Sequence, residues 1–135
     1  MPALIDTSLW IDFTRARSPR KLKAFIAPYI LDPDAHLAEP IIFEVLRHAS
    51  QAEAKLIQQQ FQLLPTLATP PSLWTDAADL GQMCRQKNIT VNSLDLLIAA
   101  VALHHSADVV TFDDDFKQIA SVSKLSLKLL KRPMP

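Results

Sequence analysis

Apolar positions along this chain switch between a strand-like and a helix-like spacing. Ala3-Leu4-Ile5 is a short unbroken apolar run that stops on Asp6, as a brief buried strand would, and Thr7-Ser8 then offers helix caps. Pro19 to Tyr29 reads as a helix with a basic start. A short strand is expected around His36-Leu37-Ala38, after which Pro40 falls where proline is tolerated, in the first turn of a helix. That helix, with a continuation or a second helix, runs to about Leu64. Pro70-Pro71 breaks the chain, and Ser72 is placed to cap the next helix. Its apolar stripe is Trp74, Ala77, Ala78, Gly81 and Cys84. Gly81 is expected to permit a close contact there, and Cys84 to lie in the core. Leu94 to His104 is apolar on almost every side, which marks a buried helix. Asp108 to Phe112 predicts a strand that runs straight into Asp113-Asp114-Asp115. Leu125 to Leu130 predicts a last strand before a Pro-rich tail.

Strands and helices in alternation imply an α/β fold. The expected form is a three-layer sandwich, a short, mostly parallel central sheet flanked by helices, with residues 1–135 as a single domain. In such sheets ligands sit beyond the carboxyl ends of the strands. Asp6 and Asp113 each stand just past a predicted strand, so both should project into the same crevice.

Composition changes this picture mainly by exclusion. With 135 residues, 49% hydrophobic and 21% charged, the chain can bury a core without covalent staples. Cys84 is the only cysteine, which excludes an internal disulfide and a Cys-rich zinc site. Gly81 is the only glycine, so neither a P-loop nor a Gly-rich dinucleotide fingerprint is present. The formal net charge is zero, so a polyanion would have to be held by a local basic patch, by bound cations, or by both. Met1 to Phe13 contains Asp6 and Asp12 and lacks the basic start of a signal peptide, and no apolar stretch is long enough to span a bilayer. A cytoplasmic protein is expected.

Helix geometry places two further acids. At about 100° per residue, Ile41, Ile42, Val45, Leu46 and Ala49 fill one arc, with Glu44 just outside it and His48 near its edge. Glu44 could therefore sit at the rim of the core and face the crevice. On the buried helix, Asp95 shares its side with Ala99 and Ala102, while Leu96, Leu97 and Val101 cover other faces. Burying that carboxylate unpaired would cost several kcal/mol or force it to hold a proton. A cation removes the penalty. Carboxylates converging on one crevice raise one another's pKa, and a hard divalent ion with oxygen ligands, magnesium or manganese, resolves the conflict. Each acid also has a plainer role open to it. Asp6 could be a turn residue, Glu44 an exposed helical glutamate, and Asp113 an N-cap with Asp114 and Asp115 favouring the helix macrodipole.

The ordered set resembles the PIN-domain family, and most closely its VapC-type toxins. The residues that carry the resemblance are Asp6-Thr7-Ser8 after the first strand, Glu44 within Phe43-Glu44-Val45-Leu46-Arg47, Asp95-Leu96-Leu97-Ile98-Ala99-Ala100, and Thr111-Phe112-Asp113-Asp114-Asp115-Phe116. Trp74 with Ala77-Ala78 is similar to the helix that precedes the third acid. The resemblance runs from about Ala3 to Phe116 and on towards the last strand. It implies a Mg²⁺- or Mn²⁺-dependent endoribonuclease, inhibited by a cognate antitoxin protein and commonly a homodimer. Matching positions make Asp6, Glu44, Asp95 and Asp113 the metal-binding and catalytic acids, with Asp115 an extra member. Ser8 and Thr111 would support the site. Two departures stand out. His48 occupies a place where glycine often follows the arginine, and the triple aspartate leaves the last ligand open among Asp113, Asp114 and Asp115.

Arg15, Arg17, Arg20, Lys21 and Lys23 form the densest basic stretch and could hold RNA phosphates, or could simply be a solvated helix face. His104 lies nearly opposite Asp95 and is not expected to ligate, His36 and His105 are expected at the surface, and His48 in a structural role. Trp10 and Phe13 are expected as core or dimer surface. Two other classes remain open. An α/β metal-dependent phosphatase usually carries a second acid two residues after the first, where this chain has Ser8. A catalytically inactive PIN-like binding module would bind Mn²⁺ weakly or not at all.

Overall fold

The computed structural model of the chain describes residues 1–134. The apolar run Ala3–Ile5 is strand β1, and Asp6 turns the chain into helix α1 (Thr7–Thr14). Asp6, rather than Thr7 or Ser8, is the N-cap, its carboxylate accepting from the Ser8 amide. Helix α2 (Arg20–Ile30) carries Pro28 in its last turn, and the helix continues to Ile30. Strand β2 is only Ala35–His36. Leu37 then makes an isolated parallel bridge to Thr66, so the expected strand is shorter and lies earlier than its apolar residues suggest.

The stretch after Pro40 is two helices, α3 (Glu39–Arg47) and α4 (Gln51–Phe61). The division has a local cause. Ser50 accepts from the Glu53 amide at 3.2 Å while Glu53 accepts from the Ser50 amide at 3.0 Å, a reciprocal capping box that starts a new helix. Helix α5 (Leu73–Gln86) follows the Pro70-Pro71 break. Ser72 stands at its N-cap but donates to the Asp76 side chain at 2.7 Å and caps no amide. The buried stripe of α5 is Leu73, Ala77, Leu80 and Cys84, so the expected stripe is rotated. Trp74 is 73% exposed and Ala78 is exposed too, while Cys84 lies in the core. Gly81 does permit a close contact, since a Cβ there would stand 3.1 Å from Leu96 Cδ1.

Helix α6 (Ser93–His105), strand β3 (Asp108–Thr111), helix α7 (Asp115–Ser121) and strand β4 (Ser126–Leu129) complete the order. Asn92 caps α6 by accepting from the Leu94 amide at 2.8 Å, and Ser106 closes it in the left-handed region, φ 53°. The sheet is wholly parallel, ordered β2-β1-β3-β4, and flanked by the helices. Its register sets Leu4 beside Val109 and Leu127 on one face, and Ile5 beside Val110 and Lys128 on the other. Helix α6 packs against α3, α5, α7 and β3, which explains why its own residues Ile98 to Ala102 are buried all round. None of the described helices is long and apolar enough to cross a membrane.

Candidate active site

The parallel order puts the carboxyl ends of β1 and β3 side by side, and each strand ends on the residues that build the site. The Asp6 amide donates to the Val110 carbonyl at 3.0 Å, which continues the β1–β3 ladder up to the acid itself. Asp6 is 3% exposed. Its Oδ2 accepts from Thr111 Oγ1 at 2.6 Å, from Ser8 Oγ at 2.9 Å and from the Ser8 amide at 3.3 Å. Each hydroxyl also accepts: Ser8 Oγ from the Phe112 amide at 3.1 Å, and Thr111 Oγ1 from the Asp113 amide at 2.9 Å. With both hydroxyl protons given to Asp6, the 3.2 Å approach of Ser8 Oγ to Thr111 Oγ1 is a packing contact. These side chains tie the segment 111–113 to the start of α1, and they leave Oδ1 of Asp6 clear of the hydroxyls.

Asp95 comes to the same place from the first turn of α6. Carboxylate oxygens of Asp95, Asp113 and Asp115 lie within 4.8 Å of one another. The Asp115 amide donates to Asp113 Oδ1 at 2.9 Å, so Asp113 turns the chain into α7 while its other oxygen remains available. Asp114, the nominal N-cap of α7, is exposed and stands outside the cluster. Glu44 is half-buried at the rim, close enough for its charge to act on Asp95.

The electrostatics follow from this crowding. Burial pushes the Asp6 carboxyl above the usual carboxylate range, and the hydrogen bonds from Thr111 and Ser8 offset part of that rise. Asp95 is pushed up to about 7, first by burial and then by the negative charges of Asp6, Asp113, Glu44 and Asp115. No hydrogen-bond donor among the described residues relieves it. A proton or a cation must do so. A ring of hard oxygen donors with surplus negative charge is the donor set that magnesium or manganese prefers, so these residues fit such an ion.

The remaining candidates lie elsewhere. Arg15, Arg17, Arg20 and Lys21 are exposed and Lys23 is half-buried, and none of them is ion-paired among the described residues. Arg15 follows the last residue of α1, about 12 Å along the helix axis from its start at the acids. His104 is exposed and away from the acids, as its position on α6 implies. His105 is not simply a surface residue: it is half-buried, and its Nε2 lies 2.7 Å from the Ala68 carbonyl. His36 is likewise half-buried, its Nδ1 2.6 Å from the Asp34 carbonyl. His48 is exposed, 3.3 Å from Arg47. Trp10 is fully buried and meets Phe61 edge to face at 4.9 Å. The amide of Phe112 is the site member that side-chain reasoning passes over. A backbone donor carries no sequence signature.

The family model for the PIN domain matches residues 3–122. A VapC ribonuclease of Mycobacterium bovis is 32% identical over 128 residues, covering 90% of this chain and 94% of that protein. Ribonuclease VapC11 of Mycobacterium tuberculosis gives the same identity and coverage. Among solved structures, VapBC-1 of nontypeable Haemophilus influenzae superposes with a TM-score of 0.73 at 18% identity, over 96% of this chain and 98% of that one. VapC20 of Mycobacterium tuberculosis, a toxin that cleaves the sarcin–ricin loop, gives a TM-score of 0.68 at 16% identity, over 97% and 99%. At such identities the structures speak to the fold alone.

Proposed function

This chain belongs to the PIN-domain family, and we propose that it is a Mg²⁺- or Mn²⁺-dependent endoribonuclease of the VapC type, the toxin of a toxin–antitoxin pair. The observation that carries this reading is the convergence of Asp95, Asp113 and Asp115 within 4.8 Å, beside an Asp6 fixed by Ser8 and Thr111. Relatives that are themselves ribonucleases, matched over nine-tenths of the chain, supply the substrate class.

In the proposed reaction, water attacks phosphorus of an RNA phosphodiester and the opposite ester oxygen departs. Asp6, Glu44, Asp95 and Asp113 are the catalytic, cation-holding acids, and Asp115 is a further ligand. A bound divalent ion would supply charge neutralisation at the phosphate and make a water more acidic. The chain's own part is to gather the acids and aim them, while a bound cation would hold them ionised. Thr111 and Ser8 pin one oxygen of Asp6, so its other oxygen keeps a fixed direction. Asp113 is fixed at one oxygen by the Asp115 amide, and Asp95 by the rigid first turn of a buried helix. Such pre-set geometry spares the site from reorganising as charge develops. No histidine or lysine base is needed.

Arg15, Arg17, Arg20, Lys21 and Lys23 are proposed to carry RNA phosphates towards the acids. A cognate antitoxin protein, a homodimeric state, a cytoplasmic location and a single domain over 1–135 belong to the same reading. The direct test is incubation of total RNA with the purified protein in Mg²⁺, in Mn²⁺ and in EDTA, beside Asp6→Asn. Cleavage by the wild type that stops with chelator and with the variant supports the proposal. Full cleavage by Asp6→Asn, or none by the wild type in either ion, sinks it, the latter in favour of a binding module.

A further inference from the structure

Residue 112 sits between Thr111, which donates to Asp6, and Asp113, whose amide donates back to Thr111 Oγ1, and its ring meets both Phe25 and Arg132. The Phe112 ring lies 6.2 Å from that of Phe25 on α2, at 25° between planes. The Arg132 guanidinium carbon stands over the Phe112 ring, 4.5 Å from its centroid. Arg132 also donates from Nε to Asp12 Oδ2 at 2.7 Å, the only ion pair among the described residues. Asp12 is one helical turn beyond Ser8, on the same face of α1. Ser8 is the residue that receives the Phe112 amide. One face of α1 is therefore fastened to the segment 111–113 twice, at Ser8 through the backbone and at Asp12 through Arg132.

We propose that Arg132 is a positioning residue of the acidic site: paired with Asp12 and laid over Phe112, it holds the segment bearing Asp113 against the helix capped by Asp6. Only a guanidinium suits both roles at once, because it is planar enough to lie on a ring and keeps an edge for a carboxylate. Lysine would keep the charge without the flat stacking. The inference rests on the reading of the acids as a divalent-cation site.

The test is calorimetric titration of the purified protein with Mn²⁺ alone, for wild type, R132A, R132K, D12N and the R132A/D12N double variant. Amide exchange at Phe112 and Asp113 is followed by NMR in the same samples. R132A and D12N should each weaken Mn²⁺ by about fivefold, the size expected for an exposed ion pair with a ring contact. The double variant should be no worse than R132A, and R132K should fall between R132A and wild type. Exchange at the Phe112 and Asp113 amides should quicken in R132A. Wild-type Mn²⁺ affinity in R132A overturns the inference, including where its melting temperature falls. If the wild type itself binds no Mn²⁺, the cation reading fails, and unchanged exchange at Phe112 and Asp113 in R132A would then overturn the strap as well.

Discussion

At the scale of single residues, Asp95 carries the sharpest consequences. Its carboxyl titrates at about 7 in the fold against an ordinary 3.8, so the folded metal-free protein holds that proton more firmly than the unfolded chain. Stability contributed by the neutral form is complete below pH ~4 and is lost as pH rises to about 7. Asp95→Asn should flatten this part of the pH–stability curve. It should also raise the metal-free melting temperature at pH 8 by several degrees, since ~1 kcal/mol is worth about 4 °C at this size. Loss of Mn²⁺ binding should accompany it. Thr111→Val tests the network in another way, by taking a donor from buried Asp6 and an acceptor from the Asp113 amide. Asp6 keeps its two Ser8 donors, but the Asp113 amide is left without its acceptor at a cost of about 1–3 kcal/mol, so thermal unfolding should show a clear loss and RNA cleavage should fall about tenfold or more. Asp95 was legible in the sequence because its helix is apolar all round and offers a carboxylate no solvent. Asp113 and Asp115 could not be told from Asp114 that way. Three consecutive aspartates separate only when the turn into α7 sends one of them outward.

At the scale of elements, periodicity and capping signals found the helices up to α6 and misjudged one face, while α7 was legible only through the N-cap role open to Asp113. Helix α5 contains two overlapping stripes at helical spacing that share Ala77 and Cys84. The aromatic bulk of Trp74 favoured one, and packing against α6 selected the other, through Leu73 and Leu80. Leu80→Ala should therefore cost about 2–5 kcal/mol as a core deletion. Trp74→Gln should stay within ~0.5 kcal/mol of wild type in the monomer, because a solvated side chain has little packing to lose. Urea unfolding of the two variants decides between the stripes. The break between α3 and α4 was partly legible: Ser50 and Glu53 stand at capping-box spacing, but the same residues could lie on the surface of one continuous helix. The half-buried places of His36 and His105 were not legible, because the carbonyls they meet belong to the backbone at Asp34 and Ala68.

At the scale of the whole molecule, the alternation of elements was enough to predict a parallel sheet flanked by helices, with Asp6 and Asp113 at neighbouring strand ends. The order β2-β1-β3-β4 was not readable, since it depends on which strands meet across long crossovers. With no net charge to attract RNA, binding should depend on the exposed arginines and lysine around the start of α2. Replacing Arg15, Arg17, Arg20 and Lys21 by glutamine should weaken RNA binding. It should also flatten the dependence of log K on log salt by about 0.7 for each phosphate no longer neutralised, while Mn²⁺ affinity stays unchanged. An unchanged salt slope would mean that this face is merely solvated. The central claim, that these carboxylates share one divalent ion, is tested most directly by anomalous diffraction from a Mn²⁺-soaked crystal of the wild type. The account predicts a peak about 2.0–2.4 Å from carboxylate oxygens of Asp95 and Asp113, with Asp115 or Asp6 beside it. A peak that avoids these residues, or none at Mn²⁺ concentrations that support cleavage, would contradict it.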